Sequence, residues 1–254
     1  MDIVIIGSGN VATVMGRKMN SAGHRVVQVA GRSAAGTHKL ASLLEASFTT
    51  DFSQLKREAD LYFIAIPDDA LMTAGKWLRT GNALTVHTAG SVSIHALKDI
   101  SSCYGVVYPL QSLRSDVTTI PEIPLLVDGH SPETQQAICS FARSLSPTVV
   151  MADDGYRKKI HLAAVISGNF SNHLFALTDA YCRQESLDFS LLLPLMKESI
   201  DRLENHPPDS MQTGPAHRND MGTIENHLRM LDGYPALKNL YTLLTDSIRA
   251  FYKK

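Results

Sequence analysis

Short runs of apolar residues alternate with helix-like segments through the first part of the chain. The runs predict strands at residues 3–6, 25–30, 61–66, 84–86, 105–108, 125–127 and 148–150. A continuous apolar run is typical of a strand buried on both faces, as in a parallel sheet. Helices are predicted between the runs, at residues 11–19, 37–44, 51–58, 70–79, 94–98 and 132–145. The pattern therefore predicts an α/β domain built on a parallel sheet.

The strand pattern stops near residue 151, and only helical segments follow. Helices are predicted at residues 155–184, 189–205, 221–231 and 235–251. Asp220 is expected to cap the third of these, and Pro235 suits the first turn of the last. Pro194 either kinks the second or marks a start. We expect two domains, a Rossmann-type domain of residues 1–152 and an all-α domain of residues 153–254.

The first strand runs without a spacer into Gly7-Ser8-Gly9-Asn10-Val11-Ala12 and then a helix. A strand, a glycine turn and a helix in this order are the fingerprint of a dinucleotide-binding unit. Gly7 permits the tight turn, Gly9 lets backbone approach a pyrophosphate, and Ala12 lets the helix pack on the strand. The free N–H groups of the helix N-terminus face the phosphates. All six residues are therefore predicted to bind the cofactor.

The second strand ends in Gly31-Arg32-Ser33. Sites for NAD usually place an acid here, which would repel a 2′-phosphate. Arg32 can instead make a charge-assisted contact to phosphate, and Ser33 adds a hydroxyl donor, so NADP is the predicted cofactor. The alternative is that Arg32 is a solvated loop arginine. Residues at the ends of two further strands are expected to border the cofactor, namely Ala65, Ile66, Pro67 and Thr88.

A polar stripe on the long predicted helix supplies candidate catalytic residues. Lys158, His161, Val165, Asn169 and Asn172 fall within roughly 80° of arc at ~100° per residue. His161 is the candidate proton donor, because the ordinary pKa of histidine suits proton transfer near neutrality. Asn169 and Asn172 would orient the substrate. Alternatively, these amides hydrogen-bond neighbouring helices or a second subunit.

Three other polar features leave alternatives open. His87, at the end of its strand, is either a second candidate proton donor or a histidine held in place by hydrogen bonds. Asp68 or Asp69 is more readily a helix cap than a catalytic acid. The loop at residues 212–220 either clamps an anionic group of the substrate or cofactor, or is an interhelical turn.

Composition narrows the class of partner. The 24 basic and 25 acidic residues nearly cancel and form no basic run, which argues against nucleic acid and anionic membranes. No apolar run reaches the ~18 residues of a membrane span. The chain opens on a strand, so no signal peptide is expected. The three cysteines are far apart, with no metal or disulfide spacing. We therefore expect a cytoplasmic protein without a metal.

Several of these segments together resemble a known family. They are residues 7–12, 64–68, 87–91 and 108–112, His161-Leu162-Ala163-Ala164 with Asn169, and Thr213-Gly214-Pro215 with Arg218 and Asp220. Along nearly its whole length the chain is similar to Rossmann-like oxidoreductases of the 6-phosphogluconate dehydrogenase type. Within them it resembles a family of NADP oxidoreductases, similar to deazaflavin-dependent NADP reductases, whose C-terminal helical domain has no assigned function.

The resemblance implies NADP binding by the N-terminal domain. It also implies a homodimer formed through the helical domain, as in pyrroline-5-carboxylate reductase. The family usually has histidine where this chain has Tyr108, which argues against a catalytic role for this position. The lysine–asparagine helix pair of the β-hydroxyacid dehydrogenases is absent in its usual spacing, since Leu162 follows Lys158 by one turn. Their mechanism is therefore not expected here.

We expect an NADP-dependent oxidoreductase acting on a small carbonyl, imine or deazaflavin-type substrate. The alternative is a regulatory protein that senses NADP without turnover. A third hypothesis is a dimeric scaffold with a vestigial fingerprint.

Overall fold

The structure is a computed structural model, and it describes residues 1–253. An eight-stranded sheet has the order β3-β2-β1-β4-β5-β6-β7-β8, and every neighbouring pair is parallel except β6 and β7. Its strands are β1 (Asp2–Ile6), β2 (Arg25–Ala30), β3 (Ser47–Thr49), β4 (Leu61–Ile64), β5 (Leu84–His87), β6 (Tyr104–Pro109), β7 (Leu125–Gly129) and β8 (Val149–Met151). The predicted α/β class is confirmed, with a mostly parallel sheet.

Five α-helices accompany the sheet. They are α1 (Asn10–Ser21), α2 (Ala34–Leu43), α3 (Asp68–Met72), α4 (Pro132–Leu145) and α5 (Asp154–Ala164). Apolar side chains of the sheet alternate between two buried clusters. Ile3 and Ile5 belong to one, and Val4 and Ile6 to the other. This alternation places core on both faces of the sheet, which explains why the strands read as continuous apolar runs.

Two predicted helices beside the sheet are shorter in the structure, and one strand was not predicted. The predicted helix at residues 51–58 is a short 3₁₀ turn, Phe52–Gln54, and the one at 70–79 is α3 followed by a 3₁₀ turn, Ala74–Lys76. Strand β3 is missing from the prediction. It has three residues on the sheet edge, and two of them are exposed, so it lacks the apolar run of an inner strand.

The long predicted helix at residues 155–184 is interrupted. Helix α5 passes into a π-helical segment, Val165–Phe170, before α6 (Ser171–Gln184) begins. The wider turn of a π-helix shifts the side chains that follow relative to those before it. The predicted stripe from Lys158 to Asn172 is therefore not a single face of one regular helix.

The chain divides into two compact units, Met1–Asn169 and Phe170–Lys254. The last strand ends at Met151, as the sequence predicts, but the first unit continues through α5. The division therefore lies later than the expected boundary after residue 152, and the contacts of Arg157 explain why. Its side chain is fully buried, and its Nη2 donates to the carbonyl oxygen of Val92 at 2.6 Å, which holds α5 in the first unit.

The second unit is helical. Besides α6, it contains α7 (Leu193–Asp201), α8 (Met221–Met230) and α9 (Pro235–Phe251). Pro194 lies in the first turn of α7 and so marks a start, and the predicted roles of Asp220 and Pro235 are confirmed. Residues 189–205 form α7 between two 3₁₀ turns, Phe189–Leu192 and Arg202–Glu204. No helix within residues 1–253 is long and apolar enough to cross a membrane.

Candidate functional site

The glycine turn after β1 forms a cradle of backbone at the carboxyl edge of the sheet. Gly7 has φ +119°, and a Cβ atom there would lie 2.1 Å from the carbonyl oxygen of Ala65. At Gly9 a Cβ would meet nothing within 4 Å, so the space in front of the turn is open. Thr13 donates the first backbone bond of α1, to Gly9, at 2.9 Å. The preceding helix amides therefore remain available to a ligand, which suits a pyrophosphate.

A cavity of about 590 Å³ opens beside this turn. Its lining combines the glycine turn, the end of β2, the end of β4 and two aromatic side chains, and consists of Gly7, Ser8, Gly9, Gly31, Arg32, Ser33, Phe52, Ala65, Ile66, Pro67, Ala70, Thr73 and Trp77. Phe52 and Trp77 have ring centroids 4.5 Å apart, and neither is suggested by the fingerprint. Most of the predicted cofactor residues thus lie around one space.

Arg32 and Ser33 lie together at the mouth of this cavity. Arg32 is exposed and forms no ion pair within the described part of the chain. The Ser33 hydroxyl accepts from the amide of Gly36 at 3.2 Å as the cap of α2, and its own hydrogen remains free to donate. A free guanidinium beside a hydroxyl fits a phosphate group better than a ribose diol.

The remaining fingerprint residues have different surroundings. Ala12 is fully buried, which agrees with close packing of α1 on the sheet. The side chain of Asn10 accepts from the amide of Ser115 at 3.1 Å, so it holds a neighbouring loop.

Asp68 does not cap α3, since the cap is Pro67, and Asp68 instead accepts a hydrogen bond from Ser91. The prediction of an aspartate cap is therefore wrong.

A second cavity, of about 510 Å³, lies on the other side of the α1 N-terminus. Its lining comes from the ends of β5 and β6 and from α5 with the π-helical segment, and consists of Val11, Thr88, Tyr108, Pro109, Leu110, Gln111, Ser112, Ile160, His161, Ala163, Ala164, Val165, Ser167, Gly168 and Asn169. Gly9 lines the first cavity and Val11 the second, so the turn separates the two spaces. Volumes of this size hold a small ligand.

Tyr108 and His161 meet inside the second cavity. The Tyr108 hydroxyl lies 2.9 Å from Nδ1 of His161, and the rings pack edge to face with centroids 5.7 Å apart. Both side chains are partly buried, and burial raises the pKa of Tyr108. The sequence does not assign Tyr108 a role. Its position at the end of a strand, on the same sheet edge as the fingerprint, is the signal that identifies it.

His87 lies apart from this pair, inside the protein. It is fully buried, and its Nδ1 accepts from the amide of Ala89 at 3.1 Å. Burial, and then the nearby charge of Arg157, lower the pKa of His87 to about 3. The ring is therefore neutral at physiological pH and does not line either cavity, which agrees with the alternative that it is held in place.

Two of the predicted catalytic residues share the second cavity, and a third does not. His161 and Asn169 both line it. Asn172 is exposed on α6 in the second unit. Lys158 is exposed and does not line the cavity. The π-helical segment lies between His161 and Asn172, and it breaks the regular spacing that would place both on one face.

The loop at residues 212–220 belongs to the second unit and is held by its own contacts. Asp220 caps α8 by accepting from the amide of Thr223 at 3.1 Å. Asn219 has φ 56°, and its side chain accepts from Arg249 Nε at 3.0 Å. Among residues 1–253, no three His, Cys, Asp or Glu side chains are grouped as metal ligands.

Comparison with known proteins agrees with this geometry. Residues 2–83 match a family described as NADP oxidoreductase, coenzyme F420-dependent, and residues 123–248 match a domain of unknown function, DUF2520. A crystal structure from Bacteroides fragilis, of a protein assigned as an NADP oxidoreductase, is 37% identical, covers 98% of both chains and superposes with a TM-score of 0.93. No curated protein sequence matches the chain.

More distant structures share the fold. A 1-pyrroline-5-carboxylate reductase from Streptococcus pyogenes is 16% identical, with a TM-score of 0.65 over 98% of each chain. An imine reductase from Myxococcus stipitatus, in complex with NADP⁺, is 15% identical, with a TM-score of 0.63 over 98% of this chain and 92% of its own. The chain therefore belongs to a family of Rossmann-type NADP oxidoreductases that carry the DUF2520 domain at the C-terminus.

Proposed function

We propose that this oxidoreductase transfers hydride between NADPH and a small carbonyl or imine compound in the second cavity. The observation that carries the proposal is the Tyr108–His161 pair, which lies beside the N-terminus of α1, next to the predicted dinucleotide cradle. The imine reductase and the pyrroline-5-carboxylate reductase are named for the reduction of C=N compounds, and their shared fold favours this substrate class. A deazaflavin stays a candidate through the family match at residues 2–83.

The first cavity would hold the adenosine end of NADPH. Backbone amides from Ser8 to Ala12 would bind the pyrophosphate, and Gly7 would keep the turn against β4. Arg32 and Ser33 would bind the 2′-phosphate, since both offer free donors at the cavity mouth. Ala65, Ile66 and Pro67 would border the cofactor on one side of the turn, and Thr88 on the other.

Bound NADPH supplies the hydride, so the chain must orient the substrate and move one proton. His161 is the proton donor in this proposal, because its ring lines the cavity and an imidazole can act as a general acid. Asn169 would orient the substrate through its amide, which can both donate and accept hydrogen bonds. His87 is not given a catalytic role, because its buried neutral ring has a pKa of about 3.

Loss of the absorbance of reduced nicotinamide tests turnover directly. We would incubate the protein and NADPH with a panel of keto acids, cyclic imines and an oxidised deazaflavin. We expect one class to be reduced, and H161Q to lower kcat by about a hundredfold. H173Q, an exposed histidine on α6, is the matched control and should keep full activity. If NADPH binds tightly and no panel member oxidises it, an NADP sensor without turnover becomes the better account.

We also propose that the second unit forms a homodimer. Within residues 170–253, four apolar side chains are buried, Cys182, Ala216, Ile224 and Leu231. Thirteen large hydrophobic side chains there are exposed, among them Leu191 at 76%, Leu243 at 67% and Phe251 at 73%. Exposed apolar surface of this extent is typical of a face that a partner covers. A second copy of the chain agrees with the subunit packing that the family resemblance implies.

A further inference from the structure

Two neighbours pack against the Nδ1 side of the His161 ring. Its Nδ1 faces the Tyr108 hydroxyl at 2.9 Å, and the backbone at Gly90 lies against the same side of the ring. A Cβ atom at position 90 would lie 2.7 Å from Nδ1 of His161 and 3.0 Å from Cε2 of Tyr108. Only a glycine leaves room for the pair to meet. This arrangement leaves Nε2 as the ring nitrogen without a bond to Tyr108.

The hydrogen positions follow from the chemistry of the two groups. Because burial raises the pKa of Tyr108, the phenol keeps its proton at physiological pH. When the imidazole is neutral, Nδ1 of His161 is the one acceptor that the described residues offer to the phenol O–H, so the O–H donates to Nδ1 and the ring hydrogen lies on Nε2. When the imidazole is charged, Nδ1–H donates to the phenol oxygen, and Nε2 again carries a hydrogen. The Nε2 atom is a donor in both states.

We propose that Tyr108 is a positioning residue that keeps Nε2 of His161 as the hydrogen-bond donor toward the substrate. This inference rests on the proposed function, in which His161 delivers the proton. As hydride reaches the substrate carbon, the π electron pair moves to the oxygen or nitrogen. That atom takes the proton from Nε2 of the imidazolium, and the N–H bond breaks. The product is an alcohol or an amine, and His161 is briefly left neutral with its hydrogen on Nδ1, until Nε2 takes up a proton again.

Tyr108 itself does not give up a proton in this scheme. Loss of its proton would create a tyrosinate in a partly buried site, which the raised pKa of Tyr108 disfavours. The proton that leaves is therefore replaced at Nε2 from solvent.

Nitrogen NMR of the protein without cofactor tests the proposal apart from turnover. We would label the histidines with ¹⁵N and assign His161 by the loss of its signals in H161Q. In the wild-type protein at neutral pH, we expect the neutral ring to carry its hydrogen on Nε2. In Y108F we expect the Nδ1 resonance to shift and the other tautomer to become detectable. A wild-type ring with its hydrogen on Nδ1, or an Nδ1 resonance unchanged in Y108F, overturns the proposal.

Tyr104 provides the matched control on the same strand. Its hydroxyl lies 3.1 Å from Nδ1 of His95. Y104F therefore removes a tyrosine–histidine contact of the same kind and should leave the His161 signals unchanged. G90A is a second probe, and we expect it to displace the ring and to shift the His161 signals as Y108F does. Thermal unfolding of each variant checks that the fold is retained.

Kinetics on a substrate from the panel separate positioning from structure. We expect Y108F to lower kcat by about tenfold to a hundredfold with an unchanged Kd for NADPH, because the ring is misplaced by a fraction of an ångström. In an H161Q background, Y108F should cost no more than about twofold. An equal loss in both backgrounds contradicts action through His161. If no substrate is reduced, the proposed function fails, and the NMR result still decides the role of Tyr108.

Discussion

Gly7 carries the tightest steric requirement of the cofactor turn. Its φ of +119° disfavours any side chain, and a Cβ would meet the Ala65 carbonyl oxygen at 2.1 Å. We expect G7A to destabilise the protein by about 2 kcal/mol or more and to weaken NADPH binding. Urea unfolding and calorimetry measure the two effects. G9A should be milder for stability, because its Cβ meets open space, yet it should also weaken NADPH binding.

His87 gives the protein a pH dependence of stability. Its pKa is about 3 in the fold against 6.5 when unfolded, so the unfolded chain binds the extra proton between these values. The neutral His87 ring therefore contributes fully to the stability of the fold above about pH 6.5, and this contribution is lost as the pH falls. We expect the free energy of unfolding to decrease by about 1.4 kcal/mol per pH unit in this range. A flatter slope is expected for H87N, and equal slopes would contradict the account.

The residues proposed to bind phosphate groups are the most predictable from sequence. Gly7 and Gly9 would act through backbone geometry that a local motif specifies, and Arg32 follows from its position at the end of β2. Tyr108 and Gly90 are not predictable in the same way, because their role depends on a contact with His161 on α5. Contacts between residues so distant in the chain leave no periodic pattern.

Two residues of α5 that form an ion pair also hydrogen-bond the loop after β5, and Arg157 is the buried member of the pair. Arg157 Nη2 donates to Asp154 Oδ1 at 2.6 Å, and Asp154 also accepts from the amide of Ile94 at 3.2 Å. Burial alone would raise the pKa of Asp154, but hydrogen bonds from Ser93 and Arg157 outweigh it and lower the pKa. His161 lies one turn after Arg157 on the same helix, so these contacts hold the segment that carries the imidazole.

We expect D154N to destabilise the protein by about 3 kcal/mol, because it leaves a buried guanidinium without its counter-charge. The neighbouring D153N is the matched control. Asp153 caps α5, and asparagine caps as well as aspartate does, so the change should stay within about 0.5 kcal/mol. Adding R157M to D154N should restore part of the loss. Urea unfolding measures all of these variants, and equal stability of D154N and D153N would contradict the account.

The boundaries of a strand or helix are predicted well where its own residues form a clear hydrophobic pattern. Inner strands such as β1 and β4 are long apolar runs and are predicted almost in full. The direction of β7 is not predictable from its own residues, because antiparallel pairing with β6 depends on the connecting loop. The π-helical segment at Val165–Phe170 likewise escapes prediction, since its sequence suits an α-helix equally well.

The whole molecule is expected to be a dimer of 27.8 kDa chains. Leu195 on α7 is 65% exposed, and we expect L195E to shift the sedimenting species from dimer to monomer, because a charge would be buried at the interface. K197E on the same helix is the control, and it should leave the mass unchanged. A wild-type protein that sediments as a monomer at micromolar concentration would contradict the homodimer.

Calorimetric titration of the protein with NADPH and with NADH tests the central claim most directly. We expect NADPH to bind at least tenfold more tightly than NADH, and R32A to remove that preference by weakening NADPH alone. R57A is the control. Arg57 lies before β4, at the amino-terminal ends of the strands and away from the glycine turn, so the change should alter neither affinity. Equal affinity of the wild-type protein for the two nucleotides, or a preference that survives in R32A, would contradict the account.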